Sequence, residues 1–333
     1  MDNYFQVENF SHFISPLYFC PEFFSDKEKS IFFKARLAEV TLETHAFCNR
    51  TCLFCPNSLV KRLDRNQIMP ENIFKKVIDE LNQINYSNTL KLHKYNEPLA
   101  NEIIYDRIRY ARNKLPLANI GFHSNGDYLT GEKLKILEDI GLDFIVIGRY
   151  MNSEFAEGDK RDIAIAQCEL FIRKLGYQYK QMPRDGTLAK FKITMDKMDV
   201  LVLVPDIEKQ FVDRGGLVSQ YSSIERHSPC RDPFNGLFID WTGDVLPCCN
   251  VIGSISSHKM YILGNIEKQS LYEMFFSSVV NKLRLSLVDF KPKVGACRTC
   301  NYDAFFVHTK ETEKLMDRVL EKMIARCKFL RDK

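Results

Sequence analysis

The chain has 333 residues, 47 Lys and Arg against 43 Asp and Glu, a formal net charge of +4 and 45% hydrophobic residues. That balance is globular and rules out a disordered or fibrous chain, and the charge excess is too small to point to nucleic acid as a partner. No run of eighteen apolar residues offers a membrane span, and the N-terminus MDNYFQVENF lacks the unbroken apolar stretch of a secretory signal, so a cytoplasmic protein is expected.

Residues 1–37 are rich in aromatics (Phe5, Phe10, Phe13, Tyr18, Phe19, Phe23, Phe24, Phe32, Phe33) without clean periodicity, and read as a packed lead-in. Alternation over 38–45 predicts a strand. Pro70 suits the first turn of a helix that carries Ile73, Phe74, Val77, Ile78 and Leu81. A strand follows at 89–93, a helix over 100–114 and a strand at 118–124. Thr130 is placed to cap a helix with Leu134, Leu137 and Ile140, ended by Gly141. Residues 143–148 predict a strand and Ile163 to Leu175 a helix. KFKITM and DVLVLVP are both strand-like, with no assignable register. This alternation from 38 to about 205 predicts an α/β fold, a parallel sheet or barrel with outer helices. Beyond about 215 the texture changes. GLFIDWTGDVLPCCN predicts two short strands around a Thr-Gly-Asp turn, Leu271 to Leu287 a helix, and the segment from about 310 a last helix. Its Leu315, Val319, Met323 and Cys327 fall on one stripe.

Eleven cysteines stand at 20, 48, 52, 55, 168, 230, 248, 249, 297, 300 and 327. A reducing compartment disfavours a disulfide scaffold, so clustered cysteines there point to metal or redox chemistry. Cys20, Cys168 and Cys327 have no partner in the sequence and read as structurally buried. Cys48, Cys52 and Cys55 form a C-x3-C-x2-C spacing with no local fourth ligand. Structural zinc and an ordinary four-iron cluster each take four ligands, so a local trio fits a cluster with one open iron, or a zinc site that borrows a distant ligand.

The trio follows a first strand and has Phe54 before its last cysteine, and in this it resembles the radical S-adenosylmethionine (SAM) superfamily. The resemblance implies a partial (β/α)6 barrel whose Cys48, Cys52 and Cys55 hold a [4Fe-4S] cluster. SAM at the open iron is cleaved to a 5′-deoxyadenosyl radical that takes hydrogen from a substrate. Tyr95-Asn96-Glu97-Pro98-Leu99 is similar to the Gly-Gly-Glu-Pro-Leu segment of that family, with both glycines replaced. His123-Ser124-Asn125-Gly126 is similar to its Thr-Asn-Gly near the ribose. Phe54, Asn96, Glu97, Ser124 and Asn125 are thereby implied in cofactor binding.

Cys230, Cys248, Cys297 and Cys300 supply four thiolates, enough for a second iron–sulfur cluster or for zinc. With Gly243-x4-Cys248 and Leu263-Gly264-Asn265-Ile266, this stretch resembles the SPASM/twitch appendage of radical SAM enzymes. No cysteine pair follows Cys300, which suits the shorter twitch form with one auxiliary [4Fe-4S] cluster. The domains expected are a lead-in 1–37, a core barrel 38–215, a small twitch-type iron–sulfur domain 216–305 and a C-terminal helix 306–333.

Cys249 is one thiol more than the quartet needs: a spare thiol, the true ligand in place of Cys248, or a hydrogen-atom donor. Arg149 and Arg214 are candidates to hold a carboxylate or hydroxyl, since guanidinium presents a planar fork. His123 is a candidate general base or a packed histidine. The resemblance to butirosin-pathway dehydrogenases implies oxidation of an alcohol on a sugar or aminocyclitol, with the auxiliary cluster as electron acceptor. A radical epimerase using Cys249, a peptide-modifying maturase and a non-catalytic metal-binding module are the alternatives. The 47 residues before Cys48 are short for an attached leader-binding domain. The family further implies a flavodoxin- or ferredoxin-type electron donor.

Overall fold

The computed structural model describes residues 14–60, 62, 64–150, 160–183, 187–206, 212–221, 225–302 and 309–332. Its contacts divide the chain into two compact units, one of residues 41–211 and one that joins 1–40 to 212–333.

The lead-in forms α1 (Pro16–Phe19) and α2 (Asp26–Arg36). Ser25 opens α2 with a capping box: its hydroxyl accepts from Glu28 N while the Glu28 carboxylate accepts from Ser25 N. Tyr18 is fully buried, its hydroxyl donates to the carbonyl of Phe234 at 2.7 Å, and its ring meets Phe32 and Phe234 edge-on. The buried guanidinium of Arg284 lies 4.6 Å from the Tyr18 ring and 4.3 Å from that of Phe275. Aromatic residues that box in a cation from several sides need no single-face spacing, which explains the missing periodicity. Phe5, Phe10 and Phe13 lie outside the described residues.

Residues 39–206 carry β1 (Glu39–Leu42), α3 (Glu71–Gln83), β2 (Thr89–Lys91), α4 (Ile103–Lys114), β3 (Asn119–Ser124), α5 (Gly131–Asp139), β4 (Phe144–Gly148), α6 (Lys160–Leu175), β5 (Tyr179–Gln181), β6 (Ala189–Ile193) and β7 (Asp199–Val204). Their order across the sheet is β1-β2-β3-β4-β7-β6-β5. β2, β3, β4 and β7 pair in parallel, whereas β6 runs antiparallel to β7 and β5 antiparallel to β6. KFKITM and DVLVLVP thus face each other, Phe191 opposite Val202. The connection between them is far too short for the crossover that parallel pairing requires, so the β/α alternation ends at α6 and an antiparallel edge finishes the sheet. One face is fully buried through Leu90, Ile120, Phe122, Ile145, Ile147, Val200 and Val202. The alternate positions Lys91, His123, Val146 and Leu201 keep some solvent contact. Thr130 caps α5 by accepting from Lys133 N at 3.2 Å, and Gly141 at φ +91° turns the chain out of it.

The second unit adds α7 (Asp232–Asn235), β8 (Gly236–Ile239), β9 (Asp244–Leu246), β10 (Gly264–Asn265), α8 (Leu271–Phe275), α9 (Ser278–Leu287) and α10 (Lys310–Arg331). β8 and β9 form the expected antiparallel hairpin. Asp240 ties its turn by accepting from Thr242 N, the Thr242 hydroxyl and Asp244 N. Two expectations are corrected. The single helix over Leu271–Leu287 is two helices, because Ser277 adopts an extended conformation (φ −66°, ψ 153°) and its hydroxyl caps α9 by accepting from Val280 N. Cys20 and Cys327 are not isolated thiols: they form a disulfide across 307 residues, a separation at which no local pattern signals pairing. On α10 the buried positions are Met316 and Met323, with Leu315 and Val319 half-buried beside them. Among the described residues no helix is long and apolar enough to cross a membrane.

Candidate active site

The cysteine trio lies on a loop that leaves β1 and returns to α3. Its base is clasped by backbone pairing: Met69 N donates to Thr44 O, Ala46 N to Gln67 O and Cys48 N to Arg62 O. Inside the clasp, Arg62 and Glu43 form a buried ion pair at 2.7 Å. Burial alone would push the Glu43 carboxyl up, but the charge and hydrogen bond of Arg62 outweigh it and hold the group below the usual carboxylate range. Cys55 N closes on Cys52 O at 2.9 Å, bringing the ends of the C-x2-C step together. Cys48, Cys52 and Cys55 are neighbours electrostatically as well as in sequence.

The loops after β2 and β3 are bonded to this one. Asn57 Nδ2 donates to Tyr95 O at 2.8 Å, Tyr95 N donates to Glu43 Oε1 and Glu97 N to Phe47 O. The Glu97 carboxylate, buried, accepts from the Ser124 hydroxyl and from Asn125 N, both at 2.7 Å, and from Leu99 N. Burial raises its pKa despite those bonds. Asn125 Nδ2 donates to Asn49 Oδ1 at 2.8 Å, and Asp127 accepts from Asn49 Nδ2 and from Nε and Nη2 of Arg50. Arg149, one residue past β4, donates to Asn125 O at 2.9 Å and to Asp127, with its guanidinium 4.4 Å from the Phe171 ring. Phe54 packs against Tyr150 with ring centroids 4.6 Å apart. Phe54, Asn96, Glu97, Ser124, Asn125 and Arg149 are therefore gathered with the trio at the ends of four successive strands, where α/β sheets place their ligands.

Two of these residues serve the scaffold more than an open pocket. The Glu97 carboxylate is engaged by Leu99 N, the Ser124 hydroxyl and Asn125 N, and Asn96 bonds Lys94 N and the Thr44 hydroxyl. Asn49, Arg50, Asn57 and Asp127 were missed by sequence reading. Their signal was available in part, since Asn49-Arg50 lies inside the cysteine spacing and Asp127 follows the Ser-Asn-Gly turn.

In the other unit, Cys230, Cys248, Cys297 and Cys300 line one cavity, together with Arg226, Asp232, Asn250 and apolar walls from Val251, Leu283 and Leu287. Cys249 is absent from that lining. It is half-buried and packs against the cluster of Phe238, Leu246, Val251, Tyr261 and Ala296. Arg226 holds the site by donating to Ser228 O, Pro229 O, Tyr302 O and, at 3.7 Å, the Cys300 sulfur. Arg214 is here too, at φ +51°, donating to Asn250 Oδ1 at 3.0 Å.

Both thiol sets suit an iron–sulfur group. Burial pushes Cys48 and Cys52 up to about 11 and Cys297 up to about 12. Such thiols ionise only beside a strong cation, and iron supplies one.

Residues 42–150 match the radical SAM superfamily, and residues 230–301 match SPASM, an iron-sulfur cluster-binding domain. The chain belongs to the radical SAM superfamily. It carries a radical SAM domain followed by a C-terminal SPASM-type domain, and its cofactors are SAM and [4Fe-4S] clusters. It is similar to the S-adenosyl-L-methionine-dependent 2-deoxy-scyllo-inosamine dehydrogenase of Niallia circulans, with 22% identity over 264 residues that span 79% of this chain and 92% of that protein. Its fold is similar to that of BtrN in complex with AdoMet and 2-DOIA, with a TM-score of 0.57, 20% identity and coverage of 80% of this chain and 94% of that one. BtrN in an open conformation gives a TM-score of 0.53 at 18% identity, covering 82% of this chain and 98% of that one.

Proposed function

We propose that this radical SAM enzyme oxidises a secondary alcohol of an aminocyclitol or related sugar to the ketone, with one auxiliary [4Fe-4S] cluster in its SPASM-type domain taking the second electron. The observation that carries the reading is the quartet of cysteines around a single cavity, a full ligand set with no open position. The similarity to a SAM-dependent inosamine dehydrogenase over nearly its whole length points the same way. When bound, SAM and its cluster supply a 5′-deoxyadenosyl radical that removes hydrogen from the substrate.

The chain's own part is to hold and aim. Cys48, Cys52 and Cys55 hold the first cluster and leave one position for SAM. The Arg62–Glu43 pair and the Glu97 carboxylate fix the loops that carry them. Ser124, Asn125 and Phe54 would flank bound SAM, with Asn96 holding the loop beside them. Arg149, with donors beyond its bonds to Asn125 and Asp127, presents a cationic fork for a hydroxyl or carboxylate oxygen. Cys230, Cys248, Cys297 and Cys300 hold the auxiliary cluster. The physiological reductant in this reading is a flavodoxin- or ferredoxin-type protein, and the compartment is the cytoplasm.

The test is product analysis with the anaerobically reconstituted full chain, SAM and 2-deoxy-scyllo-inosamine or related polyols. A product lighter by two hydrogens, formed together with 5′-deoxyadenosine, is expected. Deoxyadenosine with a product that keeps its mass in H2O and gains deuterium from D2O overturns the reading in favour of epimerisation.

A further inference from the structure

On the accessible face of the sheet lie three ionisable groups that the chemistry above does not use. Lys91 ends β2 opposite Gly121 of β3, and Leu92 N continues the ladder by donating to Gly121 O at 2.9 Å. The two-residue period then puts Lys91, His93 and His123 on one face. The His93 and His123 rings are stacked, with centroids 4.6 Å apart and planes at 17°. His123 N donates to His93 Nδ1 at 3.2 Å, so in the neutral ring the proton of His93 belongs on Nε2.

His123 is exposed between two buried neighbours, Phe122 and Ser124. Ser124 in turn is anchored to Glu97, so the imidazole is carried on one of the stiffest points of the site. The groups facing it are His93 and Lys91 from β2 and Val146, its partner on β4, with no carboxylate among them. Gly121 adds no side chain beside Lys91, and the Phe144 ring fills its place so tightly that a Cβ would lie 2.4 Å from it. His123 keeps an exposed edge, but loss of water around the rest of its ring, then the Lys91 charge, bring it down to about 4, and burial, His123 and Lys91 bring His93 well below its usual value. A neutral imidazole keeps a lone pair on one ring nitrogen.

We infer that His123 is the proton acceptor for the substrate hydroxyl, and that His93, stacked against it, is the positioning residue that holds its ring. This rests on the dehydrogenase reading. In this step the carbinol hydrogen would leave as an atom to the deoxyadenosyl radical that bound SAM supplies, and the hydroxyl proton would pass to an imidazole nitrogen of His123. The remaining electron would be taken by the oxidised auxiliary cluster held by Cys230, Cys248, Cys297 and Cys300 as the C=O bond forms. Loss of the carbinol hydrogen acidifies the hydroxyl, which eases transfer of its proton to a neighbouring base.

The experiment uses cluster-loaded full-length wild type, His123→Gln, His123→Ala and His93→Gln with the alcohol that wild type oxidises. In His123→Gln the ratio of ketone to 5′-deoxyadenosine is expected to fall by about 100-fold or more, the usual range for a lost acid–base group. Added imidazole is expected to restore ketone formation in His123→Ala. His93→Gln is expected to lower the ratio less. Calorimetry without SAM is expected to show weaker alcohol binding to His123→Gln. An unchanged ratio in His123→Gln, or a parallel loss of ketone, deoxyadenosine and iron in both His123 variants, overturns the assignment. Wild type that makes deoxyadenosine but no ketone overturns the dehydrogenase reading itself, and the base with it; that outcome needs no variant and is thereby distinguished.

Discussion

Three cysteine thiols of this enzyme come from a single loop over residues 48–55, while four others are collected from 230, 248, 297 and 300. The loop is fixed from outside, by Asp127 and Asn125 bonding Asn49 and Arg50 and, at its flanks, by Tyr95 and Glu97 bonding Asn57 and Phe47. The quartet is fixed from within, by a buried arginine and apolar walls around one cavity. A site that admits SAM must be open on one side, so its ligands are placed by a loop with polar braces. A site that only accepts an electron can be closed, and its ligands can come from anywhere in the fold. The proposed reaction divides along the same contrast, with radical generation assigned to the open site and acceptance of the second electron to the closed one.

The sharpest way to break that division is to remove one thiol from each. Cys52→Ala is expected to abolish deoxyadenosine formation, whereas Cys297→Ala is expected to keep it and lose the ketone, both read by mass spectrometry with iron counts. Equal loss of deoxyadenosine in the two variants would deny separate roles. Next in size is the brace itself. Arg62→Met leaves the buried Glu43 carboxylate unpaired and is expected to cost about 3–5 kcal/mol in chemical denaturation of the cluster-free protein; a cost below about 1 kcal/mol would show that the clasp does not depend on the pair.

Asp127 tests the outer brace. Burial would raise its pKa, but Arg50 and Asn49 outweigh it and hold the carboxyl below the ordinary value. A depressed carboxyl contributes stability that is present above its unfolded pKa, near 3.9, and lost as pH falls through the folded value. Because the group is partly exposed, Asp127→Asn is expected to destabilise by only about 1 kcal/mol at pH 7, with the difference from wild type closing at acid pH. A gap that persisted at low pH would assign the effect to packing. Smallest of all is Cys249→Ala, expected to leave the ketone-to-deoxyadenosine ratio unchanged because Cys249 is outside the cavity lining. Loss of turnover there would return weight to the epimerase alternative.

What could be read from the sequence follows the same contrast. The trio and the strand ends at Glu97 and Ser124-Asn125 were legible because their spacing is local. The parallel strands β2, β3 and β4 were legible because each alternates with an amphipathic helix. The antiparallel β5–β6–β7 edge was not, since isolated strand-like runs carry no register. Nor was the Cys20–Cys327 disulfide, whose ends meet only in the fold. The break at Ser277 was readable in principle: a serine preceding Ser278–Leu287 is a cap signal, masked by the apolar spacing that continues through it. The pairing of His93 with His123 needed the register of β2 on β3.

The measurement that tests the division of labour most directly is the molar ratio of ketone to 5′-deoxyadenosine in the anaerobic, iron-loaded enzyme, for wild type and for Cys297→Ala. A ratio near one is expected for wild type and near zero for Cys297→Ala with deoxyadenosine still formed. A wild-type enzyme that forms no deoxyadenosine, or a Cys297→Ala variant that keeps the wild-type ratio, would contradict it.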